Sequence, residues 1–203
     1  MKKYKYPSVL SIAGFDGSGG AGLQADIKTA SALGCYSTSV LTALPVQNTM
    51  GVKNIFSIPN AAIEEQLATI FEDIFPNAIK IGMVHTSELV QTIVKTLHSQ
   101  TQVPVVFDPV MVATSGHKLI EDDTIEVIAK QLIPLAQLIT PNLDEAAILA
   151  DMKIDSVEDM YRAGKRIIDL GAQGLLLKGG HLKIEKGRVS IDTAGEVAGI
   201  QLF

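Results

Sequence analysis

Short apolar runs alternate with longer amphipathic segments from the start of the chain to about residue 181. The apolar runs, such as residues 78–81 and 174–177, are continuous rather than alternating, which is typical of parallel strands buried on both faces. The segments between them repeat apolar residues at helical spacing, as Leu89, Ile93 and Leu97 do. This alternation predicts an α/β fold in which helices cover both faces of a mostly parallel central sheet.

The same pattern sets the bounds of each element. The predicted strands span residues 9–13, 36–44, 54–58, 78–81, 103–107, 136–140 and 174–177. The predicted helices span residues 23–33, 60–75, 87–97, 122–132, 143–150 and 156–170, with Asn60 and Ser87 as N-caps and Gly171 at a helix C-terminus. Because no repeat, low-complexity tract or linker occurs before residue 182, we expect residues 1–203 to form a single domain.

A glycine-rich turn, residues 14–22 (GFDGSGGAG), joins the first predicted strand to the first predicted helix. Its glycines let the backbone turn tightly, and a helix opening near Gly20 would aim free N–H groups at a ligand. The alternative interpretation is a connector that binds nothing. The P-loop pattern is absent, and the match to the dinucleotide-binding G-x-G-x-x-G motif is poor because no acidic residue follows at the right distance at the end of a second strand. The turn therefore does not define a ligand by itself.

Distinctive polar or polarisable residues follow the predicted strands. They are Asp16, Gln47, Met83, Asp108, Asn142 with Glu145, and Lys178. Because the carboxyl ends of parallel strands meet at one edge of the sheet, these residues predict a ligand cleft there.

Each residue also has a purely structural interpretation. Asp16 could cap the first helix, and Gln47 and Asp108 could be turn residues. Asn142 and Glu145 could form a capping box that needs no ligand. Lys178 is the hardest to explain in this way, because it directly follows a buried strand and precedes two glycines.

Composition narrows the class of partner. The net charge is −5, the pI is about 5.3, and the chain has no Trp and no basic block, so nucleic acid is not expected as a partner. The single cysteine, Cys35, excludes an internal disulfide and fits a reducing compartment. The first apolar run is too short for a signal peptide or a membrane span. We expect a cytoplasmic protein without membrane contact.

Several motifs occur together in one order along the chain. They are IAG (12–14), SGGAGLQADIKT (18–29), LTA (41–43), VQNT (46–49), KIGM (80–83), DPVMVA (108–113), SG (115–116), ITPNL (139–143), EA (145–146) and KGGH (178–181). With these motifs the chain resembles the ribokinase-type family, and within it the hydroxymethylpyrimidine and phosphomethylpyrimidine kinases of thiamine biosynthesis. The resemblance covers residues 8–181 and implies a ribokinase-like three-layer α/β/α fold.

The resemblance also implies an activity, namely ATP-dependent phosphorylation of 4-amino-5-hydroxymethyl-2-methylpyrimidine and then of its monophosphate, by a homodimer. The pyrimidine would lie against Gly14, Ala21, Gln47, Met83 and Val110. The phosphates of ATP would lie near Asp108, Asn142 and Lys178, with Asp108 and Glu145 organising Mg²⁺. Lys178 would offset charge on the transferred phosphoryl group. A pyridoxal kinase and a non-catalytic pyrimidine-binding protein remain alternatives.

One family motif has no counterpart in this sequence. The family carries a Gly-rich segment (G-T-G-C or G-A-G-D) beyond the KGGH motif, with an anion hole and a catalytic Cys or Asp. Here residues 192–196 (DTAGE) resemble only its start, and we interpret them as a hairpin turn. The C-terminal part of the fold is therefore expected to be missing after about residue 181. A 203-residue chain is expected to bind the pyrimidine weakly and to transfer phosphate poorly or not at all.

Overall fold

A computed structural model describes residues 6–99, 103–111, 120–179 and 200–202. The strands are β1 (Ser8–Ala13), β2 (Tyr36–Leu41), β3 (Ala43–Asn48), β4 (Gly51–Ser57), β5 (Ala78–Ile81), β6 (Val105–Phe107), β7 (Leu138–Ile139), β8 (Leu175–Leu177) and β9 (Ile200–Leu202). The helices are α1 (Gly22–Ala32), α2 (Asn60–Asp73), α3 (Ser87–His98), α4 (Asp122–Val127), α5 (Leu143–Leu149) and α6 (Val157–Asp169). Helix α4 continues as a π-helical turn, Ile128–Leu132, and a short 3₁₀ turn, Ile133–Leu135.

Seven of these strands form one sheet in the order β2-β1-β5-β6-β7-β8-β9, and every neighbouring pair is parallel. The predicted α/β class and parallel sheet are confirmed. Strand side chains such as Leu10, Ile79 and Phe107 are almost completely buried and join Leu67 of α2 and Ile93 of α3 in one hydrophobic core. Burial of such a side chain stabilises the fold by about 1.5–3 kcal/mol.

The prediction of one strand over residues 36–44 is wrong. Strand β2 ends at Leu41, and β3 starts at Ala43 and pairs antiparallel with β4 in a separate two-stranded sheet. The break falls at Thr42, which is fully buried; its N–H donates to the Ala13 carbonyl, and its hydroxyl donates to the Met83 carbonyl at 2.8 Å. The apolar pattern runs through this position because the break depends on partners distant in sequence.

Two predicted N-caps are wrong, and two features at other helix ends are confirmed. Helix α3 is capped by Thr86, whose hydroxyl accepts from the Leu89 N–H at 3.2 Å, rather than by Ser87. Helix α2 follows Pro59 and has no side-chain cap, so Asn60 is its first residue. Gly171 follows α6 with φ +108, as a C-terminal glycine should, and Asn142 caps α5.

The predicted hairpin turn at residues 192–196 lies outside the described residues. Residues 200–202 form β9, which pairs parallel with β8. In the part of the chain that the structure describes, no helix combines the length and the apolar character needed to cross a membrane.

Candidate active site

Asp16 organises the glycine-rich turn. Its side chain is almost completely buried, and one carboxylate oxygen accepts from the Ser18 N–H at 2.9 Å and from the Ser18 hydroxyl at 2.7 Å. The other oxygen accepts from the N–H groups of Gly20 and Ala21 at 2.9 and 2.8 Å. The expectation that N–H groups near Gly20 are free for a ligand is therefore wrong, because an internal carboxylate already binds them.

These contacts also set the ionisation of Asp16. Burial would raise its pKa, but hydrogen bonds from the side chains of Gln47 and Ser18 and from the turn N–H groups outweigh burial and hold the pKa well below its usual value. The Asp16 carboxyl group is therefore ionised at neutral pH.

The end of the turn approaches the first strand so closely that only glycine fits. Gly22 has φ +54, and a Cβ placed on it would lie 2.3 Å from the carbonyl oxygen of Gly14. That carbonyl accepts from the Leu23 N–H at 2.9 Å, which fixes the start of α1 against the end of β1. Ala21 is thereby held above the strand end.

A cleft of about 330 Å³ opens beside this turn at the carboxyl edge of the sheet. Its lining includes all five residues predicted to bind the pyrimidine, Gly14, Ala21, Gln47, Met83 and Val110, together with Asp108. The volume lies within the range of small-ligand pockets, about 300–1,000 Å³. A Cβ on Gly14 would lie 3.5 Å from the Met83 sulfur, an ordinary van der Waals distance, so Gly14 and the Met83 thioether are neighbours in the cleft wall.

Gln47 reaches the cleft from the separate β3–β4 sheet. The pairing of the two strands shifts between Val46 and Gln47, which indicates a β-bulge at that point. A bulge re-aims the side chain that it carries. The half-buried Gln47 side chain lies on the cleft wall, near the Asp16 carboxylate.

Asp108 and Lys178 form an ion pair at the polar rim of the cleft. The Lys178 ammonium lies 3.1 Å from one Asp108 oxygen, and the same oxygen accepts from the Thr140 hydroxyl at 3.2 Å. The Lys178 side chain is 45% exposed, so it remains accessible to a ligand. Sequence reasoning missed Thr140. The available signal was its position, because it is the polar residue directly before Pro141 and Asn142.

Asn142 and Glu145 form the capping box that was the alternative interpretation of this pair. The Asn142 side chain accepts from the Glu145 N–H at 2.9 Å, and Glu145 accepts from the Asn142 N–H at 2.8 Å. Burial and the Asp108 carboxylate raise the pKa of Glu145, while the Asn142 N–H, Lys178 and the Met111 N–H act against this rise. Phosphate binding by Asn142 stays a prediction.

The two carboxylates fit a magnesium ion that is bound mainly through water and phosphate. Magnesium prefers oxygen ligands and is often held by one or two carboxylates plus substrate phosphates. Asp108 and Glu145 supply such oxygens at the same sheet edge. Among the described residues, no group of three or more His, Cys, Asp or Glu side chains forms a closed metal site. An ion held here would be shared with a nucleotide.

A second ion pair on the cleft wall was missed by sequence reasoning. Lys80 lies 3.0 Å from Asp26, and the Ser11 hydroxyl donates to the same Asp26 oxygen at 2.5 Å. Both charged residues line the cleft. The sequence signal for this ion pair was Lys80 itself, a lysine inside the apolar strand AIKI. Its partner Asp26 could not be identified from sequence, because the contact depends on the pairing of Ser11 with Lys80 across β1 and β5.

The raised pKa of Glu145 predicts a pH-dependent stability. Because the folded chain holds this proton more tightly than the unfolded chain, the free energy of unfolding should fall as pH rises from about 4.5 through the raised pKa. In Glu145→Gln, which cannot ionise at this position, the free energy of unfolding should not show this decrease with pH. Urea unfolding at several pH values without added Mg²⁺ measures it, with Glu65→Gln on the exposed surface of α2 as the control. Identical pH profiles for wild type and Glu145→Gln would contradict the assignment.

A parallel α/β sheet with a ligand cleft at its carboxyl edge, beside a lysine–carboxylate pair, is consistent with the ribokinase-like fold class. The chain belongs to the phosphomethylpyrimidine kinase family, whose model matches residues 16–200.

Curated relatives agree with this family. The chain is 46% identical over 175 residues to a thiamine biosynthesis bifunctional protein of Geobacter sulfurreducens. The match covers 86% of the chain and 36% of that protein. It is 44% identical over 183 residues to the hydroxymethylpyrimidine/phosphomethylpyrimidine kinase of Aquifex aeolicus. This match covers 90% of the chain and 71% of that kinase. The match thus spans only 36% of the length of the first relative and 71% of the length of the second.

Solved structures confirm the ribokinase-like fold. A phosphomethylpyrimidine kinase from Clostridium difficile superimposes with a TM-score of 0.82 at 46% identity, over 88% of this chain and 78% of that one. A pyridoxal kinase from Staphylococcus aureus in complex with pyridoxal gives 0.79 at 37% identity, over 86% of this chain and 65% of that one.

Proposed function

We propose that this chain carries the substrate cleft of an ATP-dependent kinase that phosphorylates 4-amino-5-hydroxymethyl-2-methylpyrimidine and its monophosphate in thiamine biosynthesis. The single observation that carries the proposal is the convergence of five residues, Gly14, Ala21, Gln47, Met83 and Val110, on one cleft. The names of the relatives point to the same substrate and pathway.

The cleft suits a flat aminopyrimidine. Gln47 supplies an amide that can hydrogen-bond a polar ring edge, and Met83 supplies a polarisable wall. Gly14 and Ala21 leave room for the ring because they carry little or no side chain. The hydroxymethyl group would point toward the rim, where Asp108 lies.

The rim suits the phosphates of ATP. The Lys178 ammonium would contact the transferred phosphoryl group, and Asp108 holds Lys178 in place at 3.1 Å. Asp108 and Glu145 would hold Mg²⁺ through its waters; when bound, the ion neutralises charge on the phosphates. Asn142 caps α5, and its N–H and side-chain oxygen are engaged with Glu145, so its side-chain NH₂ group is the part that would contact a phosphate.

A pyridoxal kinase is the second candidate, because a pyridoxal kinase that binds pyridoxal has the same fold at 37% identity. Calorimetric titration of the chain with the hydroxymethylpyrimidine and with pyridoxal separates the two. We expect tighter binding of the pyrimidine; a clear preference for pyridoxal would favour the second candidate. ATP-dependent turnover of the preferred ligand then tests catalysis, and its complete absence in the native protein would leave a binding function only.

Gln47→Leu should weaken binding of the hydroxymethylpyrimidine. The change leaves a polar edge of the ring unpaired inside the cleft, a loss of about 1–3 kcal/mol. Calorimetry measures the affinity, and Gln91→Leu on the exposed face of α3 is the matched control. Unchanged affinity in Gln47→Leu would make Gln47 a turn residue and would remove it from the site.

We also propose a homodimer that uses the outer face of the β3–β4 sheet. Leu44 and Phe56 lie opposite each other in the register and are 38% and 55% exposed, and Val46 on the same strand is 45% exposed. A contiguous apolar patch of this kind marks an interaction surface.

The free Cys35 and the absence of a disulfide among the described residues support a reducing compartment such as the cytoplasm.

Phe56→Ser should shift the protein from dimer to monomer, because it removes the largest apolar side chain of the proposed interface. Light scattering at micromolar concentration measures the mass. Leu33→Ser is the control, since Leu33 is 77% exposed at the far end of α1 and lies outside the patch. A monomeric wild type, or a dimeric Phe56→Ser protein, would contradict the proposal.

A further inference from the structure

Both strands of the β3–β4 sheet are held at their base by the segment that follows β5. Just before β3, the buried Thr42 hydroxyl donates to the Met83 carbonyl at 2.8 Å. At the end of β4, the Ser57 hydroxyl lies 3.1 Å from Nε2 of the His85 ring. Because Ser57 pairs with Ala43, the residue after Thr42, the two contacts are neighbours at the base of the sheet.

The two strands are not held equally. The start of β3 has a backbone bond to the central sheet, because the Thr42 N–H donates to the Ala13 carbonyl at 3.0 Å. Strand β4 is held by the Ser57–His85 contact and by packing of Ile55 into a small apolar cluster. Loss of the Ser57–His85 contact therefore leaves β4 to its pairing with β3 and to this packing.

The position of β4 matters for the cleft, because its partners on β3 line the cleft wall. Ile55 pairs with Pro45, and Val52 pairs with Gln47. Pro45 and Gln47 both contribute to the lining. A movement of β4 about its base is therefore passed across the strand pair to the ligand side.

The His85 ring is held in place, but one of its two nitrogens lacks a hydrogen bond. The His85 carbonyl accepts from the Glu121 N–H at 3.2 Å, and the next residue, Thr86, caps α3. Nδ1 of the ring is buried and has no partner within the part of the chain that the structure describes. A buried N–H group without an acceptor is costly, so we assign the proton of the neutral ring to Nε2, which then donates to Ser57.

Protonation of the ring works against this arrangement. The second proton must go to Nδ1, where it would be a buried donor without an acceptor. Burial lowers the pKa of His85 from its ordinary value of 6.5, and the Glu121 carboxylate acts in the opposite direction. Of the other elements near the ring, β4 contributes Ser57, which does not titrate, and α3 carries the exposed Glu88 in its first turn. Because the held ring binds this proton less tightly than a ring in water, a pH that falls below 6.5 favours release of the ring.

We propose that His85 is a positioning residue whose neutral ring holds β4 through Ser57 and thereby keeps Gln47 at the wall of the cleft. The ligand side of this inference rests on the proposed function. The hold on β4 itself does not, because it can be measured without a ligand.

Backbone hydrogen exchange of residues 51–57 in the full chain measures the hold on β4. At about pH 7.5, above the ordinary pKa of histidine, His85→Phe should exchange these amides about threefold to tenfold faster than wild type, as expected for loss of one hydrogen bond. Ser57→Ala should have the same effect, and the double variant should exchange no faster than either single variant. His98→Phe at the exposed end of α3 is the matched control and should behave as wild type.

The dependence on pH separates this role from simple packing of the ring. Wild type, corrected for the intrinsic effect of pH on exchange, should lose protection of residues 51–57 as the pH falls below 6.5. His85→Gln should keep its protection, because the glutamine amide can donate to Ser57 and does not titrate. Calorimetry at about pH 7.5 should show the hydroxymethylpyrimidine bound about threefold to tenfold more weakly by His85→Phe and Ser57→Ala, and nearly as in wild type by His85→Gln.

Three results would overturn the inference. The first is unchanged exchange in Ser57→Ala, a mild change at an exposed residue that keeps the test valid if His85→Phe does not fold. The second is the same dependence on pH in wild type and His85→Gln. The third is faster exchange with unchanged affinity for the pyrimidine, which would remove the link to the cleft. All three leave the proposed function standing, whereas a wild type that does not bind the pyrimidine would reject that function and leave the exchange measurements to decide the role of His85 in holding β4.

Discussion

Replacing Gly22 with alanine is expected to destabilise the protein by roughly 2–5 kcal/mol. Two terms add: a left-handed conformation costs a non-glycine residue about 1–2 kcal/mol, and overpacking costs about 1–3 kcal/mol. Both apply here, because Gly22 has φ +54 and its Cβ would lie 2.3 Å from the Gly14 carbonyl oxygen. That oxygen belongs to rigid backbone at the end of β1, so it cannot move aside as a flexible side chain could.

Gly34→Ala is the matched control for this prediction. Gly34 also has a positive φ, +78, but a Cβ placed there would meet no atom within 4 Å. Its substitution should therefore cost only the conformational term, about 1–2 kcal/mol. Urea unfolding of both variants measures the difference. Equal losses of stability would show that the close approach to Gly14 is not what requires glycine at position 22.

The same close approach should matter for ligand binding. Gly14 contributes to the cleft wall, and its carbonyl fixes the start of α1 through the Leu23 N–H. A shift of Gly14 would therefore move Ala21 and the Met83 contact together. If any Gly22→Ala protein folds, we expect it to bind the pyrimidine more weakly than Gly34→Ala does.

The strands of the central sheet could be predicted from sequence because burial on both faces leaves a direct mark, a short continuous apolar run. Residues 78–81 were predicted to the residue, and β1 and β8 to within one residue. From these strands the position of the site followed, because the carboxyl ends of parallel strands share one edge. This reasoning brought Asp108 and Lys178 together, and they lie 3.1 Å apart.

What could not be predicted depends on partners that are distant in the chain. The break at Thr42 depends on the Met83 carbonyl, and the Lys80–Asp26 pair depends on the register of two strands. The role of Asp16 is of the same kind. A short polar residue in a glycine-rich turn is compatible with a cap, a ligand contact or an internal anion, and only the three-dimensional turn distinguishes them.

The separate β3–β4 sheet links the fold, the cleft and the proposed dimer. Its inner side carries Gln47 on the cleft wall, and its outer side exposes Leu44 and Phe56. Thr42 joins it to the central sheet through the Ala13 and Met83 backbones. A change at the outer face can therefore alter the position of Gln47 without touching the ligand.

Lys178→Met is expected to lower ATP-dependent phosphorylation of the pyrimidine in the native protein by about 10²–10³-fold. Phosphoryl transfer depends mostly on positioning and on stabilising charge, and loss of one preorganised charge-stabilising group typically has an effect of this size. Lys178 is the cation that contacts Asp108 at the rim of the cleft. Its removal also takes away a positive charge that pairs with Asp108 and acts on Glu145, which disfavours a bound nucleotide.

The matched control is Lys95→Met, the same substitution on the surface of α3. Lys95 pairs with Glu64, both side chains are more than half exposed, and such surface pairs contribute about 0–1 kcal/mol to stability. Its turnover should equal that of wild type, while Lys178→Arg should retain part of the activity because the positive charge remains. Turnover by Lys178→Met within tenfold of wild type would show that the phosphoryl group is stabilised elsewhere, and the assignment of this rim as the transfer site would have to be given up.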